Sequence, residues 1–186
     1  MKTFVALLRG INVSGQKQIS MSVLKNLCET LSFHEVKTYL QSGNVVFKSQ
    51  HTNPQDLSKL LSVQIARDLG HDVKVVVLDK KEIKIVADSN VLWARLGGEE
   101  KLHHCVFLDH PITQERFQQL KLPIQSGEEV FFSGKTIFLY CPNGYGRTKL
   151  NNNFFEKGLE ISATTRNWRT VLALIEMCAE FPDETK

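Results

Sequence analysis

Three short segments combine cationic side chains with glycine or hydroxyl residues and lead into a helical pattern, a combination suited to holding anions. They are Arg9-Gly10-Ile11-Asn12-Val13-Ser14-Gly15-Gln16-Lys17, Pro142-Asn143-Gly144-Tyr145-Gly146-Arg147-Thr148-Lys149, and Ala163-Thr164-Thr165-Arg166-Asn167-Trp168-Arg169. A helix start offers backbone N–H groups and partial positive charge, and arginine adds a forked donor. Arg9, Asn12, Lys17, Arg147, Lys149, Arg166 and Asn167 are therefore the candidate ligand-binding residues. They are expected to approach one concavity that takes a nucleotide or a phosphorylated metabolite. Thr148 is expected to cap the helix after the second segment, and Thr164 or Thr165 the helix after the third. Each segment also has an architectural reading, because threonines cap helices, glycines end strands and Trp168 packs into a core.

Other chemistries fail on residue type or spacing. Gly10 and Gly15 have the separation of a phosphate loop, but Gln16-Lys17-Gln18 stands where Gly-Lys-Ser/Thr is needed. His103, His104 and Cys105 are adjacent, and neighbours on a strand point to opposite faces, so no metal site is assigned. Asp109-His110-Pro111 reads as a turn that ends a strand. No GxSxG or HExxH motif is present and no carboxylate is placed as a general base, so no catalytic residue, reaction or cofactor is assigned.

The elements that must position these segments come from pattern. Of the 186 residues 42% are hydrophobic and 23% charged, enough for a sizeable core. The formal charge of +3 equals the balance of residues 141–170 alone, where Arg147, Lys149, Lys157, Arg166 and Arg169 face Glu156 and Glu160. Four scattered cysteines point to a reducing compartment, and the apolar run Phe4 to Leu8 is too short to cross a membrane; a cytoplasmic location without membrane attachment is expected.

The hexamer Ser42-Gly43-Asn44-Val45-Val46-Phe47 recurs as Ser133-Gly134-Lys135-Thr136-Ile137-Phe138. In both, glycine is expected to open a two-residue type II′ hairpin loop. Strands are predicted at 3–9, 36–40, 45–48 and 72–78, with helices from Ser20 and from Pro54. This βαββαβ order is the ferredoxin-like, split-βαβ arrangement. The second half repeats it with strands at 104–109, 129–132 and 136–140 and helices at 113–120 and 149–157. Only 160–163 is left for its closing strand, and an amphipathic helix with Trp168, Val171, Leu172, Ile175 and Cys178 inward follows. The fold class is therefore α+β, a duplicated ferredoxin-like chain with antiparallel sheets covered by helices. Its parts are an N-terminal half, 1–79, a connecting helix and linker, 80–102, and a C-terminal half with an extra helix, 103–186.

The strings LLRGINVSG, TYLQSGNVVF, TKLNNNFFEKGL and ATTRNWRTV, in that order, resemble the bacterial family named domain of unknown function 1697. The resemblance implies cytoplasmic proteins of two ferredoxin-like halves and assigns no activity. Its motif positions fall on Arg9, Gly10, Asn12, Gly15, Ser42, Gly43, Asn44, Lys149, Asn152, Thr164, Thr165, Arg166, Asn167 and Trp168. Ser14 stands where a second glycine is common, which makes that loop less permissive to a ligand, and Arg169 where asparagine is common. A single-stranded nucleic-acid module is the alternative, to be judged by whether Phe47, Phe132 and Tyr140 are exposed together. A protein-interaction or oligomerisation module is the other; the oligomeric state is not set by the sequence.

Overall fold

The computed structural model describes residues 1–13 and 15–181, which fall into two compact units. The first comprises Met1–Lys84 and the chain from Leu174; the second is Ile85–Ala173. The chain runs through β1 (Lys2–Leu8), α1 (Met21–Thr30), β2 (His34–Tyr39), β3 (Asn44–Ser49), α2 (Pro54–Leu69) and β4 (Val75–Asp79). Then follow α3 (Lys80–Asp88), α4 (Val91–Leu96), β5 (His103–Leu108), α5 (Gln114–Gln118) and β6 (Glu129–Ser133). Last come β7 (Thr136–Tyr140), α6 (Asn152–Leu159), β8 (Ala163–Asn167) and α7 (Trp168–Ala179).

Each unit holds a four-stranded antiparallel sheet, ordered β2-β3-β1-β4 in the first and β6-β7-β5-β8 in the second. The class is α+β. In the first unit Phe4, Ala6 and Leu8 of β1 and Val45 and Phe47 of β3 meet Leu24 and Leu27 of α1 and Leu57, Leu61 and Ile65 of α2. Helical spacing puts each of these sets on one face, and Ser20 and Asn53 cap the two helices through their side-chain oxygens. In the second unit Val106, Leu108, Ile137 and Leu139 meet Phe117 of α5 and Phe155 and Leu159 of α6.

Three expectations are corrected. The closing strand of the second unit is not short and displaced: β8 occupies 163–167, the stretch read as a helix-leading loop, and it pairs along β5. Thr164 and Thr165 are β-branched, and strand pairing outweighs their capping tendency. Helix α6 starts three residues later than the pattern indicated, because Asn151 rather than Thr148 caps it, accepting from the Phe154 N–H at 3.1 Å. The buried face of α7 is Trp168, Val171, Leu174 and Cys178, while Leu172 and Ile175 are only half-buried.

The two hairpins also differ from a simple repeat. Gly134-Lys135 is a two-residue loop between paired Ser133 and Thr136, with φ positive at Gly134 (+62°) only, as a II′ turn requires. The first loop instead spans 40–43, between paired Tyr39 and Asn44, and Gly43 (φ +72°) closes it rather than opening it. Leu8 pairs with Val75 and Leu108 with Ala163, each the first residue of its closing strand. The Leu8 N–H donates to the Gly43 carbonyl and the Leu108 N–H to the Lys135 carbonyl, both at 2.9 Å. Gly43 therefore corresponds to Lys135 and Val45 to Ile137, so the repeated hexamers are one residue out of step. Aligned by sequence, inward-facing Val45 would match Thr136, which faces the other way.

Gly43 is constrained twice. A Cβ there would lie 2.7 Å from both Leu8 Cβ and Ile11 Cδ1, whereas one at Gly134 meets nothing within 4 Å. Gly134→Ala is expected to cost about 1 to 2 kcal/mol from the left-handed backbone alone. Gly43→Ala adds overpacking and should cost more than about 3 kcal/mol. Urea titrations giving equal losses would contradict this assignment.

Candidate functional site

In the first unit the glycine-bearing loop is braced by its own polar side chains. Asn12 (φ +55°) donates from Nδ2 to the Ile19 carbonyl at 2.9 Å and to the Gln41 carbonyl at 2.7 Å, and its Oδ1 accepts from the Ile19 N–H at 2.8 Å. The Lys17 ammonium donates to the Asp72 carbonyl. The loop is thereby tied to the β2–β3 hairpin and to the segment before β4. Asn44, fully buried, closes that hairpin by donating to the Tyr39 carbonyl and Ser42 Oγ, each at 2.9 Å. Arg9 is half-buried, and its N–H donates to the Lys74 carbonyl at 2.8 Å. The expectation attached to Ser14 lies outside the described residues.

The second unit assembles a polar cluster on the helix-covered face of its sheet. Tyr145, in a 3₁₀ turn at Tyr145–Arg147, donates from its hydroxyl to Thr165 Oγ1 at 3.0 Å, and Thr165 Oγ1 donates to Asn152 Oδ1 at 2.7 Å. This chain of hydroxyls fastens the 142–149 loop and the first turn of α6 to β8. Thr148, buried, accepts from the Leu150 N–H at 3.1 Å and so caps a tight turn, not the helix. Arg147 and Lys149 are exposed on this loop.

Alternation along β8 separates the last two candidates. Asn167 pairs with His104 and Thr165 with Val106, so both lie on the helix-covered face with the cluster. Asn167 Oδ1 accepts from the Arg169 N–H at 3.0 Å, the capping role expected of Thr164 or Thr165. Arg166 points to the opposite face, is 7% exposed, and donates to Thr164 Oγ1 at 2.8 Å and to the Thr165 carbonyl at 2.9 Å. Arg9, Asn12 and Lys17 thus belong to the first unit and Arg147, Lys149, Arg166 and Asn167 to the second, with Arg166 turned away from the Asn167 face.

Sequence reading passed over His104, Tyr145 and Asn152 as cluster members. His104 stacks on Tyr145 at 4.6 Å, and burial pushes its pKa from an ordinary 6.5 down to about 4, against a hydrogen bond to the Leu102 backbone. The imidazole is therefore neutral near pH 7. The thiols of Cys28 and Cys141 are raised to about 12 and that of Cys178 to about 11, in each case chiefly by burial, which leaves them poor nucleophiles. Among the described residues no three His, Cys, Asp or Glu side chains group as a metal centre, and no described helix is long and apolar enough to cross a membrane. Phe47 and Phe132 are buried and Tyr140 is half-buried.

Residues 1–138 match the family described as "Protein of unknown function (DUF1697)". The conserved bacterial protein SP0830 from Streptococcus pneumoniae has a similar structure, with a TM-score of 0.74 at 19% identity over 95% of this chain and 98% of that one. At that identity the likeness is one of fold. No curated protein is significantly similar to the chain.

Two outcomes follow from the site's burial. Arg166→Ala removes a buried guanidinium that donates to Thr164 Oγ1 and the Thr165 carbonyl and should cost about 1 to 3 kcal/mol, whereas Arg147→Ala should stay within about 0.5 kcal/mol; the reverse order in denaturant titrations would contradict the assignment. The folded pKa of His104 lies below its unfolded value, so its contribution is complete above pH 6.5, falls between pH 6.5 and 4, and is constant below. That loss is about 3 kcal/mol, and His104→Phe should flatten the stability profile in that window; an unchanged profile would show that His104 is not its source.

Proposed function

We propose that this chain, which belongs to the DUF1697 family, binds a small anionic ligand at the 142–149 loop of its second unit. The observation that carries this reading is the pair of exposed cations, Arg147 and Lys149, on a loop anchored by Tyr145, Thr165 and Asn152. Arg147 supplies a two-pronged fork for phosphate or carboxylate and Lys149 a mobile point charge. Asn167 shapes the site by starting α7, and Arg166 supports it from the other face by holding the Thr165 carbonyl. In the first unit Asn12 and Lys17 are engaged in bracing their own loop, and the anion site lies in the second unit. A nucleotide or phosphorylated metabolite fits this donor set. The proposal is one of binding.

Burial of Phe47 and Phe132 weighs against the nucleic-acid alternative, which needs exposed rings for base stacking. Identical strand orders in the two sheets support descent of both halves from one duplicated module. The buried thiols fit a cytoplasmic location.

Thermal unfolding in a series of inorganic phosphate, adenosine monophosphate and a sugar phosphate tests the reading. At least one should stabilise the protein saturably, by about 2.7 kcal/mol at a hundredfold excess over Kd. The Arg147→Ala/Lys149→Ala variant should lose that increment while keeping its unliganded stability. An increment undiminished in the variant, or none with any of the three, would contradict it.

A further inference from the structure

The four edge strands of the two sheets, β2, β4, β6 and β8, are protected to different degrees. Residues 75–78 of β4 are buried, as are Ala163, Thr164 and Arg166 of β8. β2 is blunted, because its ladder slips between His34 and Lys37, Glu35 there has φ +51°, and exposed His34, Glu35 and Lys37 line it. β6 has none of these defences.

β6 pairs with β7 residue for residue, from Glu129 with Tyr140 to Ser133 with Thr136, and it carries no proline or cationic side chain. Its one charge, Glu129, is engaged by Arg95. The two-residue loop makes Ser133 and Thr136 a hydrogen-bonded pair, so alternation turns the N–H and C=O of Val130 and Phe132 outward, away from β7. Among the described residues no hydrogen bond takes them up. Phe131, between them, rests on Phe138 with ring centres 6.2 Å apart and is still 36% exposed. A regular edge with open backbone groups and an apolar residue at its middle is a template for another strand.

We infer that this other strand is β6 of a second copy of the chain, running antiparallel about a two-fold axis at Phe131. In that register Val130 faces the partner's Phe132 and Phe132 the partner's Val130, so each outward N–H meets an outward C=O and none is left over. Phe131 meets the partner's Phe131 in the non-hydrogen-bonded pair between them, where side chains approach most closely and each ring covers the other. Glu129 falls opposite the partner's Ser133, a hydroxyl donor, and diagonal to the partner's Lys135, so no like charges are opposed. This self-complementarity is what selects a second copy over an unrelated peptide. Two four-stranded sheets become one, and the open edge disappears. The pairing uses β6 and does not rest on the anion site of the 142–149 loop.

Sedimentation equilibrium of the full chain between micromolar and millimolar concentrations tests it. The unmodified protein should pass from monomer to dimer within that range. Phe131→Lys sets two ammonium groups against each other at the axis, and Ser133→Glu sets a carboxylate opposite Glu129; each should weaken association at least about tenfold with the circular dichroism spectrum unchanged. Under mild oxidation Phe131→Cys should form a disulfide-linked dimer at least about tenfold faster than Val130→Cys, whose counterpart is Phe132 and not itself; the four native thiols are all buried. A monomer at every concentration would leave the edge to a strand from another protein and overturn the inference. So would a dimer whose dissociation constant neither charge variant shifts, or equal crosslinking of the two cysteine variants.

Discussion

Burial of both faces of the central strands β1 and β5 is the constraint on which the rest of the structure depends. Every residue from Thr3 to Leu8 and from His103 to Leu108 is buried. Strands so enclosed cannot carry charge without partners, so polar chemistry is displaced to loops and to the outer strands. The outer strands answer this differently. With Leu8 matched to Leu108, Val76, Val77 and Leu78 of β4 correspond to Thr164, Thr165 and Arg166 of β8. One unit thus has an apolar outer strand and the other a polar one at the same place in the sheet. The hydroxyl of Thr165, which a valine cannot supply, is what lets Tyr145 and Asn152 fasten the basic loop in the second unit alone.

Many positions that carry the family resemblance are explained by architecture. Gly43 fits because a side chain there would collide with Leu8 and Ile11, Asn44 closes its hairpin, Asn12 joins two loops, and Trp168 is buried. What architecture leaves over is small: Lys149 and the neighbouring Arg147 are exposed and do not brace the fold through their side chains in the way Asn12 and Lys17 do.

Sequence pattern was informative where burial is one-sided or complete. The apolar runs of β1 and β4, the helical stripes of α1 and α2 and the Ser20 cap stand in the structure close to where periodicity puts them. Pattern failed where a buried strand is polar. Ala163-Thr164-Thr165-Arg166-Asn167 reads as a loop by composition, and only its pairing along β5 makes it a strand. The same blindness hid the site: Tyr145, Asn152 and Thr165 are distant in the chain, and no spacing rule joins them. It also hid the register, because two glycine hairpins of similar sequence enclose loops of different length.

The central claim, that the basic loop of the second unit is the anion contact, is tested most directly by titrating inorganic phosphate into nitrogen-15-labelled protein and following the amide resonances. The account predicts saturable shifts concentrated at Tyr145, Arg147, Lys149 and Asn152, with little change at β1 or α2. Saturable shifts confined to other residues, or none up to concentrations at which salt alone perturbs the spectrum, would contradict it.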